Sequence, residues 1–323
     1  MKPNALRKLL FSEIKSVSDC FTDYCISSGK DFTKHRKLSF ETVLKTVIGM
    51  ESKSLTNKLI DLLGTGSDMP SASAFVQQRN KVKAEACKDV FEGFTSNLII
   101  RNESELQVLA IDGSDIQIAT NPDDTTSFFP RTNGQKPYNL LHLNALYALN
   151  NHIYTDAIIQ GGNDKNEHTT LQLMVDKSKI PKALVVADRG YESFNSIAHI
   201  QEKGWFFLIR VKDGTCGIKN GLDLPPSDCF DEDICLKLTR KQTNDVKELL
   251  KDKNHYKFIS ATQPFDYLPL KNRKSEPAVF YKLKFRIVRF PISEGMYETI
   301  VTNLDRTKYP SDELKSYMPN DGE

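Results

Sequence analysis

Leu106-Gln107-Val108-Leu109-Ala110-Ile111-Asp112 and Ala183-Leu184-Val185-Val186-Ala187-Asp188 are the two stretches that decide the fold. Each is a short apolar run that ends in a carboxylate, and each reads as a buried strand. Between them, Tyr138 to Leu149 and Ile153 to Gln160 are two further runs joined by Asn150-Asn151-His152, as in a hairpin. Asn166 to Lys177 reads as a helix with Leu171, Leu173 and Met174 on its apolar side. Tyr191 to Lys203 reads as a second helix and Trp205 to Val211 as another strand. Three strands, helix, strand, helix, strand is the order of a mixed α/β sheet, with a meander first and crossovers after.

Outward from this core, residues 1–104 read as a helical domain. Ser39 can cap a run in which Phe40, Val43, Leu44, Val47 and Ile48 fall at helical spacing, and Ser54 precedes Leu55, Leu59, Ile60, Leu62 and Leu63. Gly64 to Pro70 is a break. A longer helix is expected from near Ser71, carrying Phe75, Val82, Phe91 and Phe94. Helix, short helix, turn, helix is compatible with a DNA reader of the helix-turn-helix kind, and equally with a bundle that only packs.

Residues 105–212 hold the α/β core, 213–300 read as a β-rich insertion punctuated by prolines, and 301–323 as a return to the core. The whole chain of 323 residues has a net charge of +2, with 39% hydrophobic and 27% charged residues. That excludes a disordered polyelectrolyte. No run approaches the roughly 18 apolar residues of a membrane span, so no membrane partner is expected. The near-neutral total conceals a local excess, because residues 236–290 hold 14 Lys/Arg against 5 Asp/Glu, or +9. A basic β surface suits a phosphate backbone, and a solvated lysine-rich face accounts for the same composition. None of the six cysteines forms a CxxC pair. With no apolar leader after Met1, this reads as a cytoplasmic chain with reduced thiols.

The chemistry centres on Asp112 and Asp188. Carboxyl ends of neighbouring strands in an open α/β sheet are where ligands gather. Two aspartates meeting there repel unless a cation lies between them, and hard oxygen donors suit Mg²⁺ or Mn²⁺. Such a pair supports two-metal phosphoryl transfer. A strand-end aspartate also serves as an ordinary turn or helix cap.

The residues around the aspartates narrow this choice. Asp112-Gly113-Ser114 and Ala187-Asp188-Arg189-Gly190-Tyr191, in this strand order, resemble the DDE transposases of bacterial insertion sequences, specifically the insertion-sequence-four family. Pro70 to Phe75, Gln78 to Lys81, Tyr138 to Asp156 and Thr299 to Leu314 extend the resemblance over residues 38–315. It implies an RNase H-like core, a two-metal Mg²⁺ or Mn²⁺ site, and cleavage and strand transfer of transposon ends in double-stranded DNA. A homodimer on paired ends is implied as well. By position, Asp112 and Asp188 would be the catalytic metal ligands. Physically, Arg189 and Tyr191 could hold a phosphate or a displaced base, or Tyr191 could pack the next helix. Arg131 and Lys136, on the loop after the first strand, are candidate DNA contacts, and a solvated loop accounts for them as well. Glu167 and His168 open a helix, where a carboxylate serves as a cap.

One part of the family pattern is missing. Its third carboxylate belongs to a Tyr-x2-Arg-x3-Glu-x6-Lys helix, and no such signature follows residue 290. Pro319 would interrupt a helix there, and Glu298, Glu313 and Glu323 lack the surrounding residues. The third carboxylate is therefore unknown, and the expectation is a C-terminally truncated transposase of impaired activity. The alternative is a catalytically dead DNA-binding remnant that regulates through transposon ends. An RNase H-like nuclease acting on RNA would need other acids near Asp112, and only Asp115 is close, three residues on.

Overall fold

A computed structural model describes all of the chain except residues 1, 35, 51–53, 67–68, 100–105, 132–133, 213–216, 271–275 and 318–323. It separates into two compact units, Met1–Arg101 and Asn102–Glu323. Among the described residues no helix is long and apolar enough to cross a membrane.

The first unit is helical: α1 Pro3–Asp19, α2 Phe40–Ile48, α3 Leu55–Leu63, α4 Ala72–Arg79 and α5 Glu85–Ile99. Ser39, Ser54 and Ser71 each accept a hydrogen bond from the backbone amide three residues on, so the cap expected at Ser39 forms and the other two serines cap the helices they precede. The helix expected to run on from Ser71 is divided instead. Ile26 N donates to Lys81 O, Lys83 N donates to Tyr24 O, and Cys25 bridges Val82 as in a sheet. This long-range pairing holds residues 80–84 out of helical geometry, and no local pattern encodes it. Phe75, Leu59 and Val43 are fully buried in one cluster, and Ile14, Leu44 and Phe40 anchor a second.

The second unit is a mixed α/β structure on one ten-stranded sheet. Its core strands are β1 Gln107–Ile118, the two-residue β2 Phe128–Phe129, β3 Tyr138–Ala148, β4 Ile153–Gly161, β5 Ala183–Ala187 and β6 Phe206–Arg210. Helices α6 Glu167–Lys177 and α7 Phe194–Glu202 supply the crossovers. β7 Phe230–Thr239, α8 Asn244–Leu249, β8 Tyr256–Phe258, β9 Tyr281–Ser293, β10 Met296–Thr302 and α9 Ser311–Leu314 follow. β3 lies antiparallel between β4 and β1, β1 runs parallel to β5, and β5 runs parallel to β6. β10, β9, β7 and β8 then continue the same sheet outward from β6. The basic stretch 236–290 is thus woven into the core sheet.

All five residues of β5 are buried, as an apolar run covered on both faces requires. On one face, Val108, Leu184, Val186, Leu208, Val288, Phe290 and Ile300 form a cluster closed by Leu304 and Leu314 from the chain's return. Leu171 and Met174 of α6 are fully buried, whereas Leu173, expected beside them, is 53% exposed. Its position one residue on from Gln172 takes it off the buried stripe.

Three cations of the basic stretch are internal. Arg240 donates to the carbonyls of Ser260, Gln263 and Phe265, and Lys241 to those of Glu276 and Pro277. Arg286, 3% exposed, pairs with Asp231 at 2.6 Å and donates to the carbonyls of Leu304 and Tyr309. These cations hold backbone and so are withdrawn from any phosphate surface. Arg286→Ala leaves Asp231 and two carbonyls underpaired, a loss of about 3 kcal/mol. Thermal unfolding by circular dichroism should then show a midpoint lower by about 6–12 °C. A shift below about 2 °C would contradict this role.

His199 of α7 lies between Asp176 and Asp266, each at 2.9 Å. The Asn195 amide, then the His199 ring, hold the Asp266 carboxyl below its ordinary value. A lowered carboxyl stabilises the fold at neutral pH and loses that contribution as pH falls through the lowered value. Asp266→Asn should therefore lower the unfolding midpoint at neutral pH and flatten the acid side of the stability–pH curve, the gap to wild type closing as pH falls. An unchanged acid limb would show the contact to be idle.

Candidate active site

Parallel register assembles this site. The pairs from Gln107↔Ala183 to Ile111↔Ala187 keep a constant offset of 76 residues, so Asp112 and Asp188 come next, side by side. β6 continues the row, with Ala187 paired to Ile209 and Arg210 following beside Asp188. Alternation along strands puts these three side chains on one face. Asp112 does not end its strand, as the sequence suggested. It marks where β1 parts from β5, while β1 continues to Ile118 along β3. Asp115, expected in a loop, is consequently a strand residue paired with His142.

Both aspartates are exposed and line one cavity of about 600 Å³, with Val108, Ala110, Val186 and Arg210 among its walls. Ser316 and Tyr317 border it from the chain's return. The Asp112 carboxylate accepts the Gly113 amide at 2.8 Å. Asp188 Oδ1 faces two cations, Arg189 Nε at 3.7 Å and Arg210 Nη1 at 3.9 Å. Arg210 also reaches Glu298 at 3.6 Å, and both of those side chains are nearly buried. Two exposed carboxylates abreast are the right donors for a hard divalent cation. Among the described residues no group of three or more His, Cys, Asp or Glu joins to hold a metal.

The other sequence candidates are dispersed. Arg189 is exposed on the single 3-10 turn Arg189–Tyr191 that follows β5. Tyr191 is only 3% exposed and its hydroxyl donates to Asn144 Oδ1 at 3.3 Å, so its ring packs in the core rather than offering a face to a base. Burial, followed by the charges of Glu167 and Asp112, pushes that hydroxyl well above the usual phenol range. Arg131 and Lys136 are exposed beyond the far end of the β1–β3 ribbon. The last ribbon pair, Ile118↔Asn139, lies six residues from Asp112, a distance of roughly 20 Å along the strand. Helix α6 is capped by Asn166, whose side chain accepts from Thr169 N. Glu167, expected to cap, instead directs its carboxylate to His142 at 3.3 Å. Burial lowers the His168 imidazole below its usual value. Pro319 and Glu323 lie outside the described residues.

Sequence reasoning missed Arg210 and His142, and set Glu298 aside for want of the surrounding signature. Arg210 carried a readable signal, because it ends the third parallel strand just as Asp188 follows the second. Replacing it with Gln removes a cation beside Asp188, a change of about 1 kcal/mol at the screening of bulk water. Calorimetric titration of the Arg210→Gln variant should show Mn²⁺ binding tighter by about fivefold, and equal or weaker binding would contradict this charge balance.

The transposase DDE domain family matches residues 103–320, which covers 218 of the 323 residues. Among solved structures, the chain is similar to a piggyBac transposase in a synaptic complex with hairpin DNA, at 12% identity and a TM-score of 0.36. The match covers 92% of this chain and 58% of that one, so the chain spans less than two thirds of that transposase. No curated protein matches. On the strength of the match across the whole sheet-bearing unit, the chain belongs to the family of transposase DDE domains.

Proposed function

We propose that this chain is a DNA transposase that cleaves insertion-sequence ends and transfers them into target DNA, with Asp112 and Asp188 holding Mg²⁺ or Mn²⁺. The carrying observation is the side-by-side placement of these carboxylates at one cavity, in a chain of the transposase DDE family. A divalent cation there would supply the Lewis acidity for phosphodiester cleavage and for attack by a 3′-hydroxyl. Asp112 and Asp188 orient it, the Gly113 amide fixes the Asp112 carboxylate, and the exposed Arg189 guanidinium offers a bidentate contact to a phosphate. Arg131 and Lys136 would meet duplex DNA further out. Two copies on paired ends and a cytoplasmic setting go with this reading, and the insertion-sequence-four family is the branch we assign.

A second reading, an end-binding regulator with little or no catalysis, draws on a specific feature. Two guanidinium groups already face Asp188 Oδ1, where they compete with a cation for that oxygen. The same feature supports impaired activity within the first reading. Full chain, a duplex carrying candidate ends, and Mn²⁺ separate the two. We expect salt-sensitive DNA binding, and slow nicking that needs Mn²⁺ and vanishes in Asp188→Asn. Binding without any Mn²⁺-dependent nicking selects the regulator, and absence of DNA binding defeats both.

A further inference from the structure

We propose that Asp115, His142 and Glu167 form a brace that sets the spacing of the two aspartate-bearing segments, with Glu167 as the positioning carboxylate between Gly113 and Gly190. It rests on the preceding reading only for its consequence, since the geometry stands without a cation. His142 is 2% exposed and sits on β3 directly opposite Asp115 on β1. Its Nδ1 lies 2.6 Å from Asp115 Oδ1, and Lys165 Nζ lies 3.4 Å from the other Asp115 oxygen. Its Nε2 is buried without a hydrogen bond and faces Glu167 Oε1 at 3.3 Å.

The two motif glycines show where this pair lies. A Cβ placed on Gly113 would fall 2.8 Å from His142 Nε2 and 3.0 Å from Glu167 Oε1. One placed on Gly190 would meet Glu167 Oε2 at 3.5 Å as its nearest neighbour. A single carboxylate thus has one oxygen against the residue after Asp112 and the other beside the second residue after Asp188. The N-terminus of α6 stabilises a negative charge at Glu167, and Asn166 does the capping, which leaves the carboxylate available. Glycine at 113 is accordingly a matter of space, because any side chain there would displace the histidine–carboxylate pair. Groups that orient metal-binding carboxylates are worth about 10–100-fold in metal affinity.

Hydrogen exchange on the metal-free full chain tests the brace directly. In Glu167→Ala, amides in residues 110–115 and 187–191 should exchange several-fold faster. Glu167→Gln, which keeps the shape of the side chain and a polar atom facing the ring, should stay near wild type. Gly113→Ala, which pushes on the same pair, should reproduce the faster exchange even if Glu167→Ala folds poorly. Unchanged exchange at either segment in Glu167→Ala overturns the proposal. Mn²⁺ affinity by electron paramagnetic resonance reads the consequence: weaker by about tenfold or more in Glu167→Ala and near wild type in Glu167→Gln. If Gln proves as damaging as Ala, the charge itself is required and the positioning role is wrong. If wild type shows no Mn²⁺ binding that Asp112→Asn removes, the cation reading fails, and the exchange data still decide the brace.

Discussion

The arrangement depends on the parallel register of three adjacent strands. Because β1, β5 and β6 are locked in step, Asp112, Asp188 and Arg210 reach the same level and the same face. Shifting one strand by one residue would turn its terminal side chain to the other face and dissolve the site. The register is in turn protected by burial. β5 is covered on both sides, and Val108, Val186, Leu208 and Ile300 pack beneath the charged row. An apolar floor under a charged row also lowers the local dielectric, which strengthens each interaction above it.

Charge is distributed to serve this geometry. Carboxylates gather where the central strands β1 and β5 part, two guanidinium groups balance Asp188, and other cations are turned inward to bind carbonyls. The net charge of +2 is therefore a sum of local roles, and a count of basic residues overstated the surface available to DNA. Arg240, Lys241 and Arg286 are buried, which no composition window could reveal.

What the sequence disclosed, and what it hid, divides along local and long-range physics. Ser39, Ser54 and Ser71 were readable as caps because capping is decided within four residues. β5 and the first half of β1, up to Asp112, were readable because a strand segment buried on both faces is apolar throughout. The division of the helix after Arg79 was hidden, since its cause is a pairing with residues 24–26. The continuation of β1 past Asp112 was hidden too, because Ser114, Asp115 and Gln117 are polar and are held in strand form by β3. Of the candidate site, the aspartates were legible from position and motif. Arg210, His142 and the turn of Glu167 toward His142 depend on cross-strand contacts that no spacing rule conveys.

The central claim is that Asp112 and Asp188 jointly hold a divalent cation. Anomalous diffraction from crystals of the full chain soaked with Mn²⁺ tests it most directly. The account predicts an anomalous peak bridging the two carboxylates, with Mn–O distances of about 2.1 Å to an oxygen of each. Density that places Mn²⁺ elsewhere, with Asp188 still facing Arg189 and Arg210, would contradict it.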